Sequence, residues 1–279
     1  MERLRQPAVA GTFYPADPAR LRAAVRAFLE AAVPRGGPPK AIIAPHAGYR
    51  YSGPVAGSAY ARLGLGRAGV RRVVLLGPSH RIPFRGLGAT SAEGFVTPLG
   101  VVPVDRDGVE AILSLPAVHV QDGAHGPEHS LEVQLPFLQE VLAEFRLVPV
   151  VVGEAGPGEV EAVLGRLWDG PETVVVVSSD LSHYLDQATA RQVDLATAGA
   201  ITALLPERIG PDAACGSLPV RGLLLAARHR GLGCELLDLR NSGDTAGDPE
   251  CVVGYGAFAF TDQTFGASHS VPMNSSPSM

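Results

Sequence analysis

Cysteine is scarce in this chain, and what there is does not pair up: Cys215, Cys234 and Cys251 are an odd set in unlike contexts. That excludes a disulfide framework and fits a reduced compartment, with each thiol free to serve as a metal ligand or as a small buried apolar residue. Long hydrophobic runs are missing as well. No stretch approaches the roughly 20 apolar residues that cross a bilayer, and the opening MERLRQPAVAGTFYP lacks the unbroken apolar core of a signal peptide. A cytoplasmic protein without membrane contact is expected. Positive charge is not in excess either: 23 basic residues are scattered among 28 acidic ones, for a net charge of −5, which argues against nucleic acid as the main partner. Internal repeats and low-complexity linkers are absent, so the reading is one α/β domain over residues 1–262. Only beyond it does composition change, to QTFGASHSVPMNSSPSM at 263–279. That segment reads as a mobile tail, and its His269 is given no role.

What is present is a core. With 46% hydrophobic residues in 279, the chain has enough apolar surface to close a large domain. AIIAP, RRVVLLG, RLVPVVVG and TVVVVSS read as strands covered on both faces, because half-exposed strands alternate and these do not. Helical patterns lie between them over Pro54–Leu63, Val109–Leu115, Glu128–Glu144, Gly158–Trp168, Gln187–Leu205 and Val220–Arg230. Pro54 suits a first turn, and Pro136 should interrupt its helix. CELLDLR and CVVGYGAFAF close the domain as a final strand pair. The expected fold is a mostly parallel or mixed central sheet flanked by helices.

The chemistry gathers at strand ends. AIIAPHAGY places His46 there, VVLLGPSH places His80, and VVVVSSDLSHY places Asp180 and His183. In open α/β sheets ligands collect outside the carboxyl ends of the strands, so residues distant in sequence can meet. Imidazole is the commonest metal ligand, yet a lone histidine at a strand end serves equally well as a hydrogen-bonding partner. Asp180 reads either as a helix N-cap or as a carboxylate that orients His183 or faces a metal. In HGPEHSLEVQLPF, helical spacing would put Glu128 and Glu132 on one face and His125 with His129 on another, resembling a metal ladder, although Gly126 and Pro127 set His125 apart. His129 is therefore the pocket candidate. Cys215 lies in the polar turn AACGSLP, where a thiolate can aim inward, whereas Cys234 and Cys251 read as buried apolar residues. Tyr49, Tyr51 and Tyr184 adjoin these positions and are pocket candidates, with aromatic packing as the alternative.

Taken together, PAVAGTFYPAD, IIAPHAGYRYSGP, LLGPSH, EHSLEVQLPFL, VSSDLSHY, the Cys215-Gly216 pair and VGYGAFAF resemble the Memo family, known in bacteria and archaea as the B component of the AmmeMemoRadiSam system. The motifs run in order from Pro7 to Phe260. The resemblance implies the fold of the class III extradiol dioxygenases (LigB-like). It implies a metal held by positions matching His46, His80 and Cys215, with further pocket residues at Asp180 and His183. It also implies association with an AMMECR1-like protein and a radical S-adenosylmethionine enzyme.

Extradiol ring cleavage uses two histidines and one carboxylate on Fe(II). Two histidines and a thiolate are softer and favour copper or zinc without excluding iron. The leading expectation is a metal-dependent oxidoreductase using iron or copper on a small molecule or protein substrate, with His183 as acid or base and Asp180 orienting it. The alternatives are a non-catalytic module that binds a peptide, small molecule or partner protein, and a zinc hydrolase. The mixed apolar and Arg-bearing helices leave room for a dimer interface.

Overall fold

The apolar runs become neighbouring strands in the computed structural model, which describes residues 3–66 and 68–262. In chain order the strands are β1 (Leu4–Arg5), β2 (Ala41–Ala44), β3 (Arg72–Pro78), β4 (Leu87–Ala89), β5 (Gly94–Thr97), β6 (Gly100–Pro103), β7 (Val118–Val120), β8 (Arg146–Val152), β9 (Thr173–Ser178), β10 (His183–Leu185), β11 (Leu232–Asn241) and β12 (Val252–Asp262). The helices are α1 (Pro18–Ala31), α2 (Tyr49–Leu63), α3 (Arg106–Leu113), α4 (Asp122–His125), α5 (Leu135–Val141), α6 (Pro157–Leu167), α7 (Gln187–Thr202), α8 (Ser217–His229) and α9 (Ser242–Thr245). The 263–279 segment lies outside the described residues. No described helix is long and apolar enough to cross a membrane.

A mixed sheet runs in the order β10-β12-β2-β9-β3-β8-β4-β7, with β11 also paired to β12, and β1-β5-β6 form a small second sheet. The centre of the large sheet, β2-β9-β3-β8, is parallel, and antiparallel neighbours flank it on both sides. Helices α1, α2 and α5 pack together on the sheet, as do α3, α6 and α8. Every residue of β2 and β9 is buried as a result, which is why Ile and Val follow one another there without alternation. Register decides what comes next: Ala44 sits opposite Ser178, and Leu76 opposite Val177. β2, β9 and β3 therefore end nearly level, and the turns that leave them lie side by side.

Three sequence expectations need correction. Helix α2 starts at Tyr49 after Gly48, so Pro54 lies inside it and not in its first turn. Its missing amide deprives only the carbonyl of Arg50, an exposed residue. The predicted helix Glu128–Glu144 is a loop, a 3-10 turn at Glu132–Gln134 and then α5, with Pro136 in the first turn of α5. Its polar side chains point to different tertiary partners, and a continuous helix would not deliver them. Finally, α1 lies in a segment to which no element was assigned. Asp17 caps it, its carboxylate accepting the Arg20 amide at 2.8 Å.

Glu132 is the clearest of those tertiary partners. Fully buried, it pairs with the buried guanidinium of Arg5 and accepts from the Ala8 amide at 2.7 Å, the Val9 amide at 3.0 Å and the Tyr14 hydroxyl. One carboxylate thus pins the N-terminal segment across the mouth of the sheet. Removing it leaves a buried charge without a partner. Glu132→Ala is expected to lower the unfolding free energy by about 3–5 kcal/mol in urea titrations, and the apolar double variant Arg5→Met/Glu132→Leu to recover most of that. A single-variant loss no larger than that of a surface substitution would show that packing alone holds the segment.

Candidate metal centre

Two residues past the ends of β2, β9 and β3 stand His46, Asp180 and His80. His46 is buried, and its Nδ1 lies 2.9 Å from Ser178 Oγ. The roles in this bond are fixed by counting protons. Ser178 has one hydroxyl proton and points it at the carbonyl oxygen of Ser130, 2.6 Å away, while Gln134 Nε2 donates to the same hydroxyl at 2.7 Å. His46 Nδ1 must therefore be the donor, which leaves the lone pair on Nε2. Burial, followed by the neighbouring His80, His129 and His183, drives the His46 pKa well below the ordinary imidazole value, so the ring is neutral.

His80 is oriented in the same way by a different acceptor. Its Nδ1 lies 3.0 Å from Glu128 Oε1. That carboxylate also accepts the amides of His80, His129 and Ser130. Burial raises the Glu128 pKa, but the hydrogen bonds from the His80 ring and from the Ser130 and His80 amides outweigh burial and hold it at about 2. An ionised Glu128 makes His80 Nδ1 the donor, so Nε2 is the ring nitrogen left to meet an ion.

Cys215 comes from the turn before α8. Its amide donates to the Asp180 carbonyl at 3.2 Å, and the Asp180 amide donates back to Sγ at 3.3 Å. Gly216 packs so closely on β9 that a Cβ there would sit 2.7 Å from the Ser179 side chain, which explains the glycine after the cysteine. Sγ ends 3.3 Å from His46 Nε2. A tetrahedral ion with bonds of about 2.0 Å to nitrogen and 2.3 Å to sulfur separates such donors by roughly 3.3–3.6 Å. One pair thus already has the required spacing, and the donor atoms of His46, His80 and Cys215 all lie within 4.8 Å of one another. Burial and the Asp180 carboxylate push the thiol pKa up. Without a cation the sulfur keeps its proton, and a bound ion would displace it.

The remaining predicted residues divide into wall and frame. Asp180 is not an N-cap, because strand β10 and not a helix follows it. It is buried, and its Oδ1 accepts the amides of His46 at 2.7 Å and Ala47 at 3.3 Å. Burial raises its pKa to about 6 against those bonds. His183 Nδ1 lies 2.8 Å from the Leu181 carbonyl oxygen, so it is the donor and Nε2 is the free nitrogen. His129 stacks on His80 at 4.7 Å between ring centres, stands edge-on to His46 at 5.5 Å, and is held at a pKa of about 4 by burial. Its Nδ1 approaches Glu128 to 3.2 Å without hydrogen-bond geometry.

These groups open into a cavity of about 900 Å³, whose wall includes His46, His80, His129, Asp180, His183, Tyr184 and Cys215. Tyr184 is 76% exposed at the wall with a left-handed φ of 60°. Tyr49 does not line the cavity. It is core, packed on Phe137, with its hydroxyl donating to the Val133 carbonyl at 2.7 Å. His125 is also outside, its Nε2 2.9 Å from the Gly88 carbonyl and its pKa lowered by burial to about 4. Cys251, read from the sequence as buried, is exposed and lines the cavity, as do Thr12, Phe13, Tyr51 and Tyr255. Sequence reasoning missed Ser178 as a positioning group and Glu128 as the acceptor for His80. The only sign of the latter was a glutamate directly before His129.

The family model described as Memo-like protein matches residues 5–259. Similar proteins include a MEMO1 family protein of Aquifex aeolicus, 37% identical over 267 residues, which cover 91% of this chain and 97% of the relative. A MEMO1 family protein of Methanopyrus kandleri is 38% identical over 285 residues (92% and 98%). One of Sulfolobus acidocaldarius is 35% identical over 290 residues (93% and 100%).

Two expectations follow from the network. Ser178→Ala frees His46 Nδ1 to exchange tautomers and should weaken divalent-ion binding by about 10–100-fold without unfolding the protein, as read by competition with a chelating dye; unchanged affinity would show that the hydroxyl does not set the ring. The second concerns acid. His46, His125 and His129 have folded pKa values below the unfolded value of 6.5, so between pH 6.5 and about 4 the unfolded chain holds more protons. Asp180, raised to about 6, and Asp194, also raised by burial, act in the opposite sense but are two groups against three. The urea midpoint of metal-free protein should fall as pH drops through that window, each histidine contributing up to about 1.4 kcal/mol per pH unit. A level or rising midpoint would contradict the buried-neutral assignment.

Proposed function

The chain belongs to the Memo family, and from that premise we propose that it is a metal-dependent redox protein whose ion is held by His46, His80 and Cys215. The observation that carries the reading is that His46, His80 and Cys215 each bring one donor atom within 4.8 Å of the others, with His46 Nε2 and Cys215 Sγ 3.3 Å apart. Two imidazoles and a thiolate suit copper or iron, and zinc as well. When bound, iron or copper supplies one-electron chemistry at the base of the cavity.

The protein's own groups do the rest. Asp180 holds the His46–Ala47 turn by its amides and so keeps the His46 ring at the end of β2. His183, with Nδ1–H anchored on Leu181 O, takes a proton from a molecule in the cavity at Nε2 and returns it. No carboxylate is among the three donors His46, His80 and Cys215, while Glu128 accepts four N–H groups and Asp180 accepts two amides through Oδ1 alone. This favours chemistry other than extradiol ring cleavage, which requires a carboxylate on the metal. The same observation lends weight to a second reading, a pocket that binds a peptide, small molecule or partner protein without turning it over.

Elemental analysis after anaerobic purification tests the proposal. Wild-type protein should carry close to one equivalent of iron or copper, and His46→Ala and Cys215→Ala almost none. Equally negligible metal in all three would remove the basis of the reading. Zinc in the wild type, with no oxygen uptake in the presence of a reductant, would transfer the site to zinc-activated hydrolysis or to binding alone.

A further inference from the structure

A second cavity, of about 520 Å³, opens at the ends of β3 and β8. Pro78, Phe84 and Val152 line it, with Leu218 and Pro219 from the start of α8. Among the described residues, Cys215 is the only one that also lines the metal-site cavity. The backbone explains how one residue separates two spaces. Gly216 lies against Ser179, so the turn presses flat onto the end of β9 with Cys215 as the partition. On the far side, a Cβ at Gly153 would sit 2.3 Å from the Phe84 carbonyl oxygen and 3.0 Å from its ring; only glycine lets Phe84 close down as the floor.

The two spaces differ in charge. The metal-site cavity carries Arg81, Asp180, Asp212 and Asp248 on its wall besides the imidazoles. In the second cavity the charged residues are Arg85 and Glu154. They stand 3.5 Å apart with side chains 91% and 80% exposed, so they sit in solvent at the rim and offset one another. The rest of the wall is mainly apolar, interrupted by Ser217 and by Ser79, whose hydroxyl donates to the Ile82 carbonyl, so no charged side chain meets an ion inside and an ion loses hydration there that an uncharged molecule does not.

We propose that this second cavity is a separate approach to Cys215 for a small uncharged molecule, while charged or strongly polar molecules enter by the metal-site cavity. Its consequence for chemistry, that the ligand sulfur is reached from behind by a neutral co-reactant, rests on the metal-site reading above. Access itself does not, so the two fail separately.

The test follows alkylation of Cys215 in metal-free protein, read by peptide mass spectrometry at one alkaline pH common to every variant and both reagents, so that the raised thiol pKa affects all rates alike. Iodoacetamide is the neutral probe and iodoacetate its charged counterpart. Leu218→Trp and Phe84→Trp each fill the second cavity, and neither residue belongs to the metal-site wall. Both variants should slow iodoacetamide severalfold and leave the iodoacetate rate unchanged. The far-ultraviolet circular dichroism spectrum and the urea midpoint serve as the check on folding, and either variant that passes it is sufficient. An unaltered iodoacetamide rate overturns the proposal, and so does equal slowing of both reagents, because the cavity would then not select against charge.

Discussion

The hydroxyl proton of Ser178 points to one place, the carbonyl of Ser130, and much of the site depends on that. It settles which nitrogen of His46 carries hydrogen, and therefore which one faces Cys215. Gln134 completes the arrangement by donating both to Ser178 and to the Pro45 carbonyl at 3.0 Å. The turn after β2, the end of β9 and the loop before α5 are thus joined through one oxygen. Every buried polar atom in this knot has a partner, the condition under which such a network gives a single geometry in place of several.

Electrostatically the centre is a group of imidazoles, of which His46 and His129 are kept neutral by burial, beside one ionised carboxylate. Three imidazoles pack within 5.5 Å of one another, centre to centre, which is tolerable only because burial keeps at least two of them unprotonated. The nearby negative charge on Glu128 is surrounded by N–H donors. The thiol retains its proton for the same reason the His46 and His129 rings lack theirs, burial. Such rings have little affinity for protons. A cation that binds there meets ligands already oriented by their outer partners.

Much of this was legible in the sequence, for a physical reason. Strands covered on both faces are continuous apolar runs, and polar residues that break such a run at its carboxyl end have few structural roles. His46, His80, Asp180 and His183 stood out on that ground, and the turn around Cys215 on its polarity. The stretch from His125 to Gln134 misled because Glu128 and Glu132 are four apart, the spacing of a helix face. Their side chains in fact leave in different directions, one to His80 and one to Arg5 and the N-terminal segment. Spacing records local period, and a carboxylate held by tertiary donors need not obey it. Tyr49 and Cys251 exchanged roles for a related reason: no local pattern separates an aromatic ring that faces the sheet from a thiol that faces a cavity.

The order of strands in the sheet also bears on how the protein comes into being. β12, the last of the described strands, pairs with β2 in register from Phe258 opposite Ile43 to Phe260 opposite Ala41, and among the described residues β11 reaches the sheet only through β12. During synthesis β2 therefore waits with one flank uncovered while some 200 further residues emerge, and the sheet closes on that side late. Until then its most apolar strand is also its most vulnerable to pairing with the wrong partner.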